Sequence, residues 1–370
     1  MSSKYGEKII DKASPHTVKK FELLEGYIES WKEIMLLQSA CEELIFIDCM
    51  SSSGEYIDID GKTVYGTPVR ADKLLREAAS RYTRKNIRVI FNDKSAEKID
   101  HLKTLIPESS GNYHVSFYNE DCNILLRNLQ DKICGANGTH YLLFYDPYQA
   151  VIDWDALMPY FNHWGEVIIN HMLSDSIRAV REAKSPEAVS KYESTYRGRE
   201  IMELSEWGSD KKKYESCVES IIRSLRMRKS RDYFIASFPF FNVNNALLYD
   251  IIHCTGHIKG FKLFKKTAWQ IFGGQSSNKR PLKSEAGQGV FVFPDDNNES
   301  SDEYCYTVDD IAHYIHGKFT GRKNVPVSEI WDLLNFHPVF PSEGFKNDIK
   351  QRLKEIYGDK VSGKAISFEA

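Results

Sequence analysis

Residues 43–49 read Glu-Leu-Ile-Phe-Ile-Asp-Cys, a nearly continuous apolar run that stops on an acid and enters a turn of small residues, Met50-Ser51-Ser52-Ser53-Gly54. A strand that helices cover on both faces has this composition. Six further strand-like runs follow, at 87–93, 113–118, 140–146, 165–171, 232–240 and 245–255. Helices are expected between the earlier ones, over 68–82, 95–106, 122–130 and 153–162. The last two runs are joined by Asn242-Val243-Asn244-Asn245, which is turn chemistry for an antiparallel pair. The alternation predicts an α/β protein with a doubly wound, seven-stranded, mostly parallel sheet.

Upstream, Ser14-Pro15 reads as a helix cap and first turn. Val18, Phe21, Leu24, Ile28, Trp31 and Met35 then recur at helical spacing, so an amphipathic helix precedes the first strand. Residues 55–66 read as a polar loop. From about 173 to 230 the chain turns charged and helix-favouring, longer than an ordinary connection, which predicts a helical insertion. Glycines and the run DDNNESSDE at 295–303 make 276–302 a linker or mobile loop. Beyond it, helices at 307–316, 326–335 and 342–357 and a strand in KAISFE suit either a winged helix or a plain helical docking module over 303–370. The main domain is then 1–275.

The 370 residues carry a formal net charge of −3, with 42% hydrophobic and 12% aromatic residues. That balance gives no general attraction to nucleic acid, so such binding would need local patches. Residues 211–231 hold eight Lys/Arg against two Glu, and 259–283 hold seven with no acid. Either could meet a nucleic acid, but each also reads as a helix packing its apolar residues inward, and for 259–283 packing of its aromatics against the sheet is the expectation. Seven cysteines without a CxxC pair argue against a disulfide framework or a structural zinc site. His253 and His257 lack a third ligand nearby, so no metal is expected. No secretory leader and no apolar run long enough to cross a bilayer is present, and a cytoplasmic protein is expected. GxGxxG, P-loop and GxSxG motifs are absent.

Polar residues, most of them acids, close the first four strands, where open α/β sheets bind ligands. Asp48 ends the first, with Ser52 and Gly54 in the turn that follows. Asn92 and Asp93 end the second, where a carboxylate suits a ribose diol. Asp121 follows the third and is placed to accept from an adenine amino group, with Cys122 against the ring. Asp146-Pro147-Tyr148 ends the fourth, where Asp146 would hold or deprotonate an acceptor and Tyr148 would stack on it. Each acid also has a simpler reading as a helix cap.

These motifs resemble the three-Cys-motif partner (TcmP) family, a bacterial group related to class I S-adenosylmethionine-dependent methyltransferases. The resemblance is carried by Lys20, Leu24, Tyr27 and Trp31, the IDCMSSSGEY turn, Gly66-Thr67-Pro68, Asp121 with Cys122, FYDPY at 144–148, Ser174 to Arg178, Trp207, and ALLYDIIHCTGHIKGFKLFKKTAW at 246–269. It implies a methyltransferase-like fold, S-adenosylmethionine as cofactor, a partner protein, and a winged-helix-like C-terminal region. This chain departs from the family's D-G-F-A-G-P-G turn, keeping the acid and only the last glycine. Its Asp146-Pro147-Tyr148 lacks the second proline of amino-group methyltransferases. Two functions follow as expectations: a methyltransferase acting on nucleic acid or a partner-presented substrate, or a non-catalytic scaffold joining a partner protein to nucleic acid.

Overall fold

The computed structural model describes residues 9–147, 151–174, 178, 186–197, 206, 210–227, 233–280 and 305–370. Its centre is a seven-stranded sheet, whose strands we number β1 (Glu43–Asp48), β2 (Asn86–Asn92), β3 (Tyr113–Tyr118), β4 (Thr139–Tyr145), β5 (Gly165–His171), β6 (Phe234–Phe241) and β7 (Leu247–Thr255). The spatial order is β3-β2-β1-β4-β5-β7-β6. Neighbours from β3 to β5 are parallel. β7 runs antiparallel to both β5 and β6, so the sheet is mixed. Asp48 lies level with Phe91 of β2 and Phe144 of β4. The ends of three neighbouring strands therefore meet at one edge.

Alternation along β1 divides the interior in two. Leu44 and Phe46 point into a core shared with α1 (Pro15–Leu36), α2 (Thr67–Arg81) and α6 (Ile258–Ile271), where Tyr27, Trp31, Leu75, Phe264 and Trp269 are buried. Ile45 and Ile47 point the other way, against Leu125 and Leu129 of α4 (Cys122–Ile133) and Val218 and Ile222 of α5 (Lys211–Met227). Each such side chain contributes roughly 1.5–3 kcal/mol by leaving water. α3 (Ala96–Leu105) and a short helix at Trp154–Leu157, within the expected 153–162, also lie beside the sheet.

The apolar residues of both basic stretches face inward. Tyr214, Val218, Ile222 and Leu225 of α5 are buried, while Lys212, Lys213 and Arg223 are exposed. Phe261, Phe264, Trp269 and Phe272 are buried as well. Of the expected insertion, α5 and a helix at Pro186–Thr195 are described. Trp207 and residues 281–304, most of the expected linker, lie outside the described residues.

One expectation is corrected. Residues 55–66 are not simply a polar loop: Glu55–Ile57 and Thr63–Tyr65 form a hairpin, and Asp11–Lys12 pairs with its first strand. Gly61, with φ +78°, supplies the left-handed residue of its Asp60-Gly61 tip.

The C-terminal residues form α7 (Val308–Phe319), α8 (Val327–Asn335) and α9 (Lys346–Tyr357), with a small antiparallel sheet of Val325–Pro326, Ala365–Ser367 and Lys360–Val361. They are fastened to α6. The fully buried Lys265 donates to the carbonyls of Leu334, Asn335 and His337 at 2.9, 3.2 and 2.7 Å, and Trp269 Nε1 donates to Val339 O at 3.0 Å. Burial pushes the Lys265 ammonium down to about 7. The carbonyls at the negative end of α8 act in the opposite sense. Lys265→Met would leave three buried acceptors without their donor. It is expected to cost about 2–4 kcal/mol in urea unfolding and to open the chain to protease near residue 335. Unchanged stability would show that the ammonium is no fastener.

Candidate functional site

At the carboxyl ends of β1, β4 and β5 lies a cleft of about 330 Å³. α1 forms one wall because Ser14 caps it, its Oγ accepting from Thr17 N, and Pro15 starts it, so that His16, Thr17 and Lys20 of its first turns face the strand ends. The hairpin adds Tyr56, and the start of α2 adds Thr67 and Pro68.

Four of the ten expected site residues line this cleft: Asp48, Ser52, Asp146 and Pro147. Asp146, just past β4, accepts from Lys20 Nζ and from Asn170 Nδ2, each at 2.6 Å. Lys20 also stands 5.6 and 5.9 Å from the ring centres of Tyr249 and Phe144. Asp48, 1% exposed, accepts from Met50 N at 3.3 Å. Burial, and then the neighbouring Asp146 carboxylate, push its carboxyl up to about 8. The cleft thus pairs a protonated acid with an ionic couple. Tyr148 lies outside the described residues.

The other expected residues have other partners. Asp93, 1% exposed, accepts from Ser52 N at 2.9 Å through Oδ2 and from Ser95 N at 2.9 Å through Oδ1. Asn92 donates to the carbonyls of Cys49 and Glu120 and accepts from Glu120 N. Its own carbonyl accepts from both the backbone and the hydroxyl of Ser51. The end of β2 therefore holds together the turns after β1 and β3. Asp121 is the exposed N-cap of α4, accepting from Asn123 N at 3.0 Å. Cys122 packs into the core with Cys49, whose thiol burial pushes well up. Gly54 has φ +75°, and a Cβ there would come within 2.4 Å of Leu102. Close packing of α3, rather than approach to a ligand, requires that glycine.

Lys20, Tyr56, Thr67, Asn170 and Tyr249 were not foreseen as site residues. Asn170 had a signal, a polar residue near the end of an apolar strand. The others are brought in by tertiary folding. Two carry unmet hydrogen-bonding capacity: Thr67 Oγ1 and Asn170 Oδ1 are buried without a partner, their residues 3% and 2% exposed. Thr67 sits at the start of α2, whose N-cap Gly66 offers no side chain. Lys20 and that helix start suit a negative group, whereas Asn170 Oδ1 suits an N–H donor.

The two acids expected to hold the adenosine half of S-adenosylmethionine do not line the cleft. Asp93 turns both oxygens onto backbone of the chain itself, and Asp121 lies outside the cleft lining.

No protein-family model matches the chain, and no curated protein shows significant similarity to it. Solved structures similar to it include a Legionella pneumophila protein of the family DUF519, at 11% identity and TM-score 0.41, covering 70% of this chain and 94% of that one. They also include the O-methyltransferase TomG of Streptomyces achromogenes, in complex with S-adenosylmethionine, at 10% identity and TM-score 0.28, covering 66% and 91%. A third is an S-adenosylmethionine-dependent methyltransferase of Agrobacterium tumefaciens, at 9% and 0.28, covering 65% and 61%. Likeness of this order does not extend to a ligand or an activity.

The Asp48 carboxyl sets a pH dependence. With its folded pKa raised to about 8, the stability it contributes is intact below about pH 4 and is lost as pH rises toward 8, by at most ~1.4 kcal/mol per pH step of one. Asp48→Asn removes that loss. Urea midpoints measured from pH 5 to 8.5 should fall more steeply for the wild type than for Asp48→Asn, and equal slopes would refute the assignment.

Proposed function

We propose that this chain is a methyltransferase-fold binding protein of the three-Cys-motif partner type, which works through its acid-and-lysine cleft without turning over S-adenosylmethionine. One observation carries this reading: the carboxylate that would take the ribose, Asp93, is bonded instead to Ser52 N and Ser95 N, inside the turn where the family has glycines. The strand order, with β7 antiparallel, agrees with the fold that the resemblance implies. The methyltransferase reading keeps one specific support, the convergence of Asp48 and Asp146 on a cleft. No transfer step is assigned, since neither Asp93 nor Asp121, the acids expected to take the nucleoside, lines the cleft.

In this reading residues 1–275 are the methyltransferase-like unit with 173–230 inserted, 276–302 connect, and 303–370 meet nucleic acid while the larger unit meets a partner protein. The order helix, strand, two helices, two strands in the C-terminal residues supports a winged helix there. No described helix is long and apolar enough to cross a membrane, and a cytoplasmic setting suits the seven free cysteines.

Isothermal titration of the full chain with S-adenosylhomocysteine should give no saturable heat up to about 1 mM, a limit of roughly 4 kcal/mol of binding. Micromolar binding that Asp93→Ala or Asp121→Ala weakens would restore the methyltransferase reading. For the C-terminal part, duplex DNA binding by the full chain should fall with salt. The double change Lys346→Glu, Lys350→Glu on α9 should weaken it at least tenfold and flatten the salt slope. DNA binding indifferent to both would leave a protein-docking module.

A further inference from the structure

A second cavity, of about 190 Å³, opens at the opposite pole of the sheet. Its lining comes from the end of α1 (Ile34, Met35, Gln38), the first residues of β4 and β5 (His140, Glu166), the turn between them (His163, Trp164) and the segment after β7 (Thr255, His257, Lys259). β4 and β5 are seven residues long, so this cavity and the Asp146 cleft lie about 20 Å apart.

Two polar atoms here have no partner. His140 is 7% exposed and its Nε2 has no hydrogen-bond partner. Burial lowers its pKa, which favours the uncharged ring, in which one nitrogen donates and the other accepts. Glu166, 4% exposed, receives Tyr27 Oη and His253 (at 2.7 Å) on Oε2 alone. Its Oε1 lies over Gly260, where a Cβ would stand only 2.9 Å away, and takes no hydrogen bond from the described residues. The walls carry aromatic and apolar side chains beside Gln38, Thr255, His257 and Lys259. Trp164, 46% exposed, stands edge-on to His140 with ring centres 4.8 Å apart, and Ile34 and Met35 lie among the other lining residues. A buried histidine in a core normally finds a donor for its free nitrogen. This one borders open volume, and a cavity of ~150 Å³ already admits a benzene ring.

From this geometry we infer that the cavity is a second binding site, for a planar amino-heterocycle whose amino group donates to Glu166 Oε1, whose ring edge pairs with His140 Nε2, and whose ring lies along Trp164. The chemistry separates the site from a purely apolar hole, which would favour a hydrocarbon of the same shape.

The full-length protein can be titrated with 2-aminopyridine, adenine, pyridine and toluene by ligand-observed NMR and calorimetry. An amino-heterocycle should saturate the site, pyridine and toluene should bind at least tenfold more weakly, and His140→Phe and Trp164→Ala should each reduce binding at least tenfold. Asp146→Asn, at the other pole, should leave it unchanged. Failure of both amino-heterocycles to saturate folded wild-type protein would overturn the proposal, as would toluene binding equally well or binding that survives His140→Phe. If His140→Phe fails to fold, Trp164→Ala decides, because its ring is half exposed, and unaltered affinity in that variant counts against the site.

Discussion

The carboxylate of Asp93 fixes the turn after β1, and much of the site follows from that contact. A buried acid must find donors or lose several kcal/mol. Asp93 finds them in Ser52 N and Ser95 N, so it joins the turn after β1 to the start of α3. Ser52 is held at φ +54°, a left-handed conformation that an L-residue adopts at a cost of about 1–2 kcal/mol. The serine hydroxyls then turn inward, Ser51 to Asn92 O and Ser53 to Glu55 O. The turn is therefore shaped by its own chain, and the open space is displaced toward α1 and the hairpin.

α1 acts as a ruler across the same core. Lys20, Tyr27 and Ile34 are seven residues apart, two turns each, and so share a face at steps of roughly 10 Å. Lys20 meets Asp146 at one strand edge, Tyr27 meets Glu166 and His253 in the middle, and Ile34 lines the second cavity. The span matches the length of β4 and β5. One helix thus forms a wall of both openings, and a shift along its axis is felt at each.

The sheet was legible in the sequence because buried parallel strands are apolar throughout. All seven expected runs coincide with strands to within about two residues, the usual margin for element ends. The hairpin was not, although its Asp60-Gly61 tip is a turn signal, because its strands are three residues long and carry no apolar run. In the site, position was legible and role was not. An acid just past a strand reads the same whether it faces a cleft, as Asp146 does, or caps the next helix, as Asp121 does. Lys20 stands 126 residues from Asp146 and had no local signal connecting the two.

The persistence of these acids therefore says little about cofactor use. Asp121 saturates a helix start and Asp93 closes a turn, each a role that the fold needs with or without a ligand. The atoms that discriminate are those the fold leaves unmet. His16 Nδ1, Ser52 Oγ, Thr67 Oγ1 and Asn170 Oδ1 in the cleft, and His140 Nε2 at the far pole, are buried without partners, each at a cost of about 1–3 kcal/mol that water or a ligand would relieve. The unmet hydroxyls and amide oxygen of the cleft, lined also by Lys20, suit a polar ligand, and the unpartnered His140 imidazole against Trp164 suits a flat one with a polar edge. Binding chemistry in this molecule is read from its unsatisfied atoms, which no strand-end pattern in the sequence marks.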